Sequence, residues 1–114
     1  MNARTITKAQ KRELRRLAAL AHERDLAAAA GALEQQFNLW RQGRLDVFAL
    51  NEEIHKYHNG ISRELYKRYV LGEPEMALAF AVQRGLVLEK EVTPEVLDYI
   101  SGWMSFFKDA GAEE

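Results

Sequence analysis

Cysteine is absent from this chain of 114 residues. Its absence excludes disulfide stapling, thiolate catalysis and zinc sites built on cysteine, and it is ordinary for a protein of the reducing cytosol. Proline is almost as scarce, with two residues in all. Residues 7–42 contain no proline and only one glycine, Gly31, so little interrupts a helix in that stretch.

The chain also lacks an uninterrupted apolar run long enough to cross a membrane. Its most apolar helical tract, residues 17–33, contains the charged cluster His22-Glu23-Arg24-Asp25, which would lie at bilayer depth. Residues 1–5 carry no apolar run after their charge, so we expect no secretory signal and a cytoplasmic protein. The length and the 47% hydrophobic composition predict one helical domain over 1–114, with a flexible tail from about residue 110.

Charge is unevenly distributed along the chain, although the formal net charge is only -1. Residues 1–45 contain nine Lys and Arg against four acids, and the rest contains seven bases against thirteen acids. Such halves attract each other within a fold or between subunits, or leave a basic patch for a polyanion. The candidate nucleic-acid residues, largely opposite the apolar stripe, are Lys8, Lys11, Arg12, Arg15 and Arg16. A solvated face is the alternative, favoured by a pI near 6.3.

Helical periodicity and capping signals predict an all-α protein of about five helices. The first is long, because good helix formers dominate from Thr7 to Gln42 and Gly43 supplies a stop. Asp46, Ser62, Pro74 and Pro94 mark further helix starts. The predicted helices cover about 7–42, 46–58, 62–71, 74–84 and 94–108, and residues 86–88 are interpreted as an extended connector.

The length of the first helix has its own implication. A rod of some 35 residues spans about 50 Å, whereas a compact domain of about 100 residues has a radius of gyration near 13 Å. The rod either kinks near Gly31 or is covered by a second copy, and Ala27 to Ala30 would allow close helix approach in a dimer. We therefore predict a homodimer.

The last helix is apolar on more than one side. Its large apolar residues are Tyr99, Ile100, Trp103, Met104, Phe106 and Phe107. A helix of this kind is buried on most sides, so it predicts packing in the core, between subunits, or against a protein partner or an apolar ligand.

Two of the three histidines lie together near the middle of the chain. His55 and His58 are three residues apart, and Glu52 precedes His55 by three, so all three share one helical face and form a candidate metal site. A di-iron bundle needs a second Glu-x-x-His pair, which this sequence does not contain. A surface or capping role is the alternative.

The residues that follow favour a different ligand. A helix beginning at Ser62 would direct its amides toward the Asn59-Gly60 turn, with Arg63 nearby and His58 on the preceding helix. Such an arrangement can hold a phosphate or a carboxylate. The alternative is a well-capped corner that binds nothing. Ser62 lacks the second glycine and preceding strand of a nucleophile elbow, so we predict no catalytic residue.

The same segment carries a resemblance. The run Ile-His-x-x-His-x-Gly-x-Ser-Arg-Glu-Leu-Tyr at 54–66, with Trp40-x-x-Gly43 upstream, resembles a pattern in short bacterial all-helical proteins with no function attached. The resemblance implies a small bacterial helical protein and assigns no activity or cofactor.

The sequence as a whole predicts a small cytosolic interaction or regulatory module. The first alternative is a small enzyme or an anion or metal binder using the corner from His55 to Glu64. The second is polyanion binding by the basic first helix.

Overall fold

The computed structural model describes residues 5–112, and this part of the chain is helical without a strand. Its five α-helices are α1 (Lys8–Arg41), α2 (Val47–Asn59), α3 (Ile61–Tyr66), α4 (Pro74–Gln83) and α5 (Pro94–Ala112). A π-helical turn, Lys67–Leu71, follows α3, and a 3-10 turn, Glu89–Glu91, precedes α5. The prediction of an all-α protein with about five helices is confirmed.

Side-chain caps fix the N-terminal starts of the first two helices. Thr7 Oγ1 accepts a hydrogen bond from the Gln10 amide at 3.1 Å, and Gln10 Oε1 accepts one from the Thr7 amide at 2.9 Å. Asp46 Oδ1 accepts from the Ala49 amide at 2.8 Å, which starts α2. Each bond satisfies an amide that has no partner inside its helix, so these starts are encoded locally.

The first turns of α1 pack against α4 and α5, and we call this part of the molecule the compact half. Leu14, Leu17 and Ala21 are the buried residues of α1. Their buried partners from the second part of the chain are Leu78, Ala79, Ala81, Val82, Val87, Val92, Val96 and Ile100. Burying each of the larger side chains contributes about 1.5–3 kcal/mol, so this cluster supplies most of the apolar stabilisation.

The C-terminal part of α1 forms a helical hairpin with α2, and α3 and the π-helical turn also pack on α1. The helix is continuous through Gly31, and α2 and α3 cover part of the long rod, so a break at Gly31 is not needed. The molecule measures 56 × 32 × 25 Å with a radius of gyration of 17.3 Å. It is therefore elongated compared with the roughly 13 Å expected of a compact domain.

The third and the last predicted helices differ most from the structure, whereas the bounds of the other three agree to within one residue. The helix predicted over 62–71 begins one residue earlier, at Ile61, and changes to π geometry at Lys67. The last helix continues to Ala112, past the predicted end near Lys108, because no proline follows and Gly111 costs a helix only about 1 kcal/mol. The predicted tail is thus helical as far as Ala112, and residues 113–114 lie outside the described part.

The stretch 86–88 connects α4 to the 3-10 turn without forming a strand, as predicted. Val87 is fully buried, so the connector contributes a side chain to the compact half. Among the described residues, no helix is both long and apolar enough to cross a membrane.

Candidate functional site

The turn between α2 and α3 is a tight corner built around Gly60. The Gly60 amide donates to the Lys56 carbonyl at 2.9 Å, and the Glu64 amide donates to the Gly60 carbonyl at 2.9 Å. A Cβ atom at Gly60 would lie 2.7 Å from the Lys56 carbonyl oxygen. That separation is too short for a side chain, so glycine is needed for the two helices to meet here.

Ser62 does not have the capping role that its sequence context suggested. Gly60 occupies the N-cap position of α3, and no side chain caps the helix there. The prediction that the helix starts at Ser62 is therefore wrong by one residue, because the Gly60 backbone already turns the chain into α3. Ser62 lies within the first turn and lines a cleft beside the corner.

The corner cleft has a volume of about 410 Å³ and is formed by three consecutive segments. It is lined by His58 and Asn59 of α2, Ser62, Arg63 and Tyr66 of α3, and Lys67 and Leu71 of the π-helical turn. The structure thus brings together all three residues predicted to bind an anion, His58, Ser62 and Arg63. His55 and Glu64, the ends of the predicted corner, are exposed and do not line the cleft.

The cleft contains two unpaired cations. In the part of the chain that the structure describes, the side chains of Arg63 and Lys67 make no ion pair or hydrogen bond. Arg24 and Arg68, by contrast, each pair with a carboxylate, at 2.8 and 3.2 Å. The corner cleft is therefore lined by two cations that form no ion pair with a described carboxylate.

The π-helical turn is anchored to α1 on its other side. Asp25 Oδ2 accepts hydrogen bonds from Arg68 Nη1 at 3.2 Å and from the Tyr69 hydroxyl at 3.0 Å. The Tyr69 ring stacks on His22 with ring centres 4.9 Å apart. The guanidinium carbon of Arg68 lies 4.0 Å from the centre of the Phe80 ring on α4. Burial, and then the hydrogen bond to Asp25, raise the pKa of Tyr69 to about 12.

The predicted metal ligands are not grouped by the fold. Glu52, His55 and His58 are all exposed on α2, and only His58 lines the corner cleft. Within residues 5–112, no three His, Asp or Glu side chains are placed so that they could hold a metal ion.

The basic residues at the start of α1 are all exposed, as the amphipathic pattern implies. They are Lys8, Lys11, Arg12, Arg15 and Arg16. Arg16 pairs with Glu13 at 2.8 Å, which removes part of the positive charge from this face. Binding of nucleic acid by this face stays a prediction.

The aromatic residues of α5 are divided between the interior and the surface. The Phe107 ring packs edge-on against Phe80 with centres 5.3 Å apart, and Ile100 is fully buried. Trp103 and Phe106 remain 39% and 56% exposed. The helix is therefore partly a core helix, and an exposed aromatic pair remains near its end.

Sequence reasoning missed Tyr66, Lys67 and Leu71, which complete the cleft. The four-residue spacing of Arg63 and Lys67 was the available signal, because it puts both cations on one side of a helix. No protein family, curated protein or solved structure matches this chain.

Proposed function

We propose that this chain is a small helical interaction module that associates with a second copy of itself through the helical hairpin. The observation that carries the proposal is the burial along α1. From His22 to Arg41, all within the described part of the chain, no α1 side chain is buried. α2 and α3 contribute one buried residue each, Leu50 and Leu65. Because helices in proteins are stabilised mostly by tertiary packing, a helical hairpin with so small a core gains stability when another surface covers it.

The composition of this part of α1 suits an interface. From Leu26 to Trp40 the only charged residue is Glu34, although many of these side chains face solvent. The centres of protein interfaces are depleted in charge and rich in apolar and aromatic side chains. On the hairpin, Leu26, Trp40, Val47 and Phe48 are between 37% and 81% exposed.

A second copy is the partner that fits this shape best. Two hairpins brought together by a twofold axis make a four-helix bundle, in which each copy supplies two antiparallel helices. Exposed Ala28 and Ala32 lie one turn apart on α1 and allow a close approach of helices. A groove of about 370 Å³ between α1, α2 and the start of α3, lined in part by Ala32 and Ile61, can receive side chains from the other copy.

The test is the oligomeric state of a charged variant. Ala32→Arg places a long cation in the proposed interface, and Ala19→Arg makes the same change at an exposed position outside the hairpin. We expect sedimentation equilibrium to give a dimer for the natural chain and for Ala19→Arg at tens of micromolar. Ala32→Arg should be monomeric at the same concentration, with a dissociation constant raised by about tenfold or more.

A natural chain that sediments as a monomer at high micromolar concentration would contradict the proposal. Equal dissociation of both variants would also contradict it, because the effect would then come from added charge rather than from the hairpin. A bacterial, cytosolic setting for this module remains the expectation drawn from the sequence.

A further inference from the structure

We propose that the corner cleft binds a small organic phosphate. Arg63, Lys67 and His58 hold the phosphate, and Tyr66 and Leu71 pack against the apolar group that the phosphate is attached to. This binding site is separate from the proposed interface and does not depend on dimer formation.

The charge of the cleft favours an anionic ligand. Its seven lining residues include three basic side chains and no acidic one. Arg63 and Lys67, four residues apart, repel each other, and like charges at this spacing destabilise a helix by a few tenths of a kcal/mol. Because no described carboxylate forms an ion pair with either side chain, a bound anion would relieve that repulsion.

The hydrogen-bond donors of the cleft favour a phosphate over a carboxylate. An arginine presents a planar fork of donors, and a lysine presents three donors on a flexible stem. The Ser62 hydroxyl and the Asn59 side-chain amide are further donors among the lining residues. These donors come from two helices and the π-helical turn, so they are not confined to one helix. A tetrahedral phosphate, with several oxygens pointing in different directions, suits such a set better than a planar carboxylate.

The size and the apolar wall of the cleft favour an organic group attached to the phosphate. A volume of about 410 Å³ is far larger than one inorganic phosphate and falls in the range of pockets for small organic ligands. Tyr66 is 53% exposed and Leu71 is 68% exposed beside the cations. A ligand with an apolar body next to its phosphate would cover both side chains.

The π-helical turn that forms one wall of the cleft is anchored to α1. Lys67 and Leu71 are the first and last residues of this turn, and both line the cleft. Arg68 and Tyr69, between them, are tied to Asp25 on α1. The wall of the cleft is therefore held in place before a ligand arrives, which lowers the entropy lost on binding. Single π-helical turns are rare and are frequently found at functional sites.

The experiment is isothermal titration calorimetry with phenyl phosphate, inorganic phosphate and benzoate as probes. We expect phenyl phosphate to bind about fivefold more tightly than inorganic phosphate, because its ring covers apolar side chains. Benzoate should bind more weakly than phenyl phosphate. The variant Arg63→Gln/Lys67→Gln should lose about tenfold or more in affinity for phenyl phosphate, because two charged donors are removed.

The matched control, Arg44→Gln/Lys90→Gln, removes two exposed cations outside the cleft and should leave the affinity unchanged. Leu71→Ser should reduce the preference for phenyl phosphate over inorganic phosphate, because Tyr66 remains, while leaving inorganic phosphate binding in place. Because these side chains are mostly exposed, all variants should fold, as circular dichroism will show.

Three outcomes would overturn the proposal. The first is no heat of binding for phenyl phosphate at millimolar concentration. The second is an equal loss of affinity in the two double variants, which would indicate general electrostatic attraction. The third is benzoate binding as tightly as phenyl phosphate, which would assign the cleft to carboxylates.

Discussion

Arg24 fastens the connector between α4 and α5 to α1. Its Nη1 donates to the Leu86 carbonyl at 2.9 Å and to Glu91 Oε2 at 2.9 Å, while Nη2 donates to Glu91 Oε1 at 2.8 Å. The Leu88 amide also donates to Glu91 Oε2 at 2.8 Å. The hydrogen bonds from Arg24, followed by the one from Leu88, lower the pKa of Glu91 to about 2. Glu91 is therefore the centre of a local network that holds the connector.

This network makes the free energy of unfolding depend on pH in the acidic range. The pKa of Glu91 is lowered from 4.5 in the unfolded chain to about 2 in the folded protein, so the unfolded state binds the proton first. The stability that the carboxylate contributes is present above pH 4.5 and is lost as the pH falls toward 2. We expect the difference in urea midpoint between the natural chain and Glu91→Gln to shrink over that window.

A double-mutant cycle isolates the contribution of the pair. Arg24→Gln, Glu91→Gln and the double variant should show a favourable coupling at pH 7 that disappears near pH 2. A coupling that stays constant between pH 7 and pH 2 would show that the ionised carboxylate is not the source of the effect.

At the scale of the helices, two glycines are predicted to respond oppositely to alanine. Gly60→Ala places a Cβ 2.7 Å from the Lys56 carbonyl oxygen and should destabilise the protein by about 1–3 kcal/mol. Gly102→Ala, within α5, meets no atom within 4 Å and should stabilise it by about 0.5–1 kcal/mol. Chemical denaturation measures both. A neutral Gly60→Ala would mean that the α2–α3 corner relaxes freely.

Helix starts were predictable because their signals are local. Thr7, Asp46, Pro74 and Pro94 each lie at or next to the helix start that they predicted. The π-helical turn was not predictable, because the residues 67–71 look like an ordinary helix. Contacts of Arg68 and Tyr69 with α1 accompany the change of geometry, and such contacts are set by the tertiary fold.

The candidate site was likewise predictable where its residues are close in sequence, and not where they are brought together by the tertiary fold. His58, Ser62 and Arg63 are sequence neighbours across one turn, so a correct corner brings them together. The stacking of His22 on Tyr69 joins residues 47 positions apart, and no short motif indicates it. The choice between kinked and continuous α1 likewise depended on where α2 and α3 pack.

At the scale of the molecule, the two halves should differ in local stability. The compact half holds most of the buried side chains, while the hairpin holds few. In monomeric Ala32→Arg, we expect the amides of residues 26–41 to exchange with deuterium at least about tenfold faster than those of 14–21. In the natural chain at high concentration, the dimer should restore protection to the hairpin.

Hydrogen exchange read out by mass spectrometry distinguishes these states, with Ala19→Arg as the control that keeps the dimer. Uniform protection along α1 in the monomeric variant would mean that α2 and α3 alone stabilise the hairpin. The proposal that a second copy covers it would then lose its physical basis.

The packing of α1 against the last helices also sets the order in which the chain is expected to fold. α4 and α5 are near neighbours in the sequence, as are α2 and α3, so each pair can form with little loss of chain entropy. Arg24 and Glu91, in contrast, are 67 residues apart, and the contacts around them close a loop that contains α2, α3 and α4. The entropic cost of that closure grows only with the logarithm of loop length. Docking of α1 onto the last helices is therefore the late step, and its rate should tolerate residues added near Gly43 far better than the loss of a core side chain.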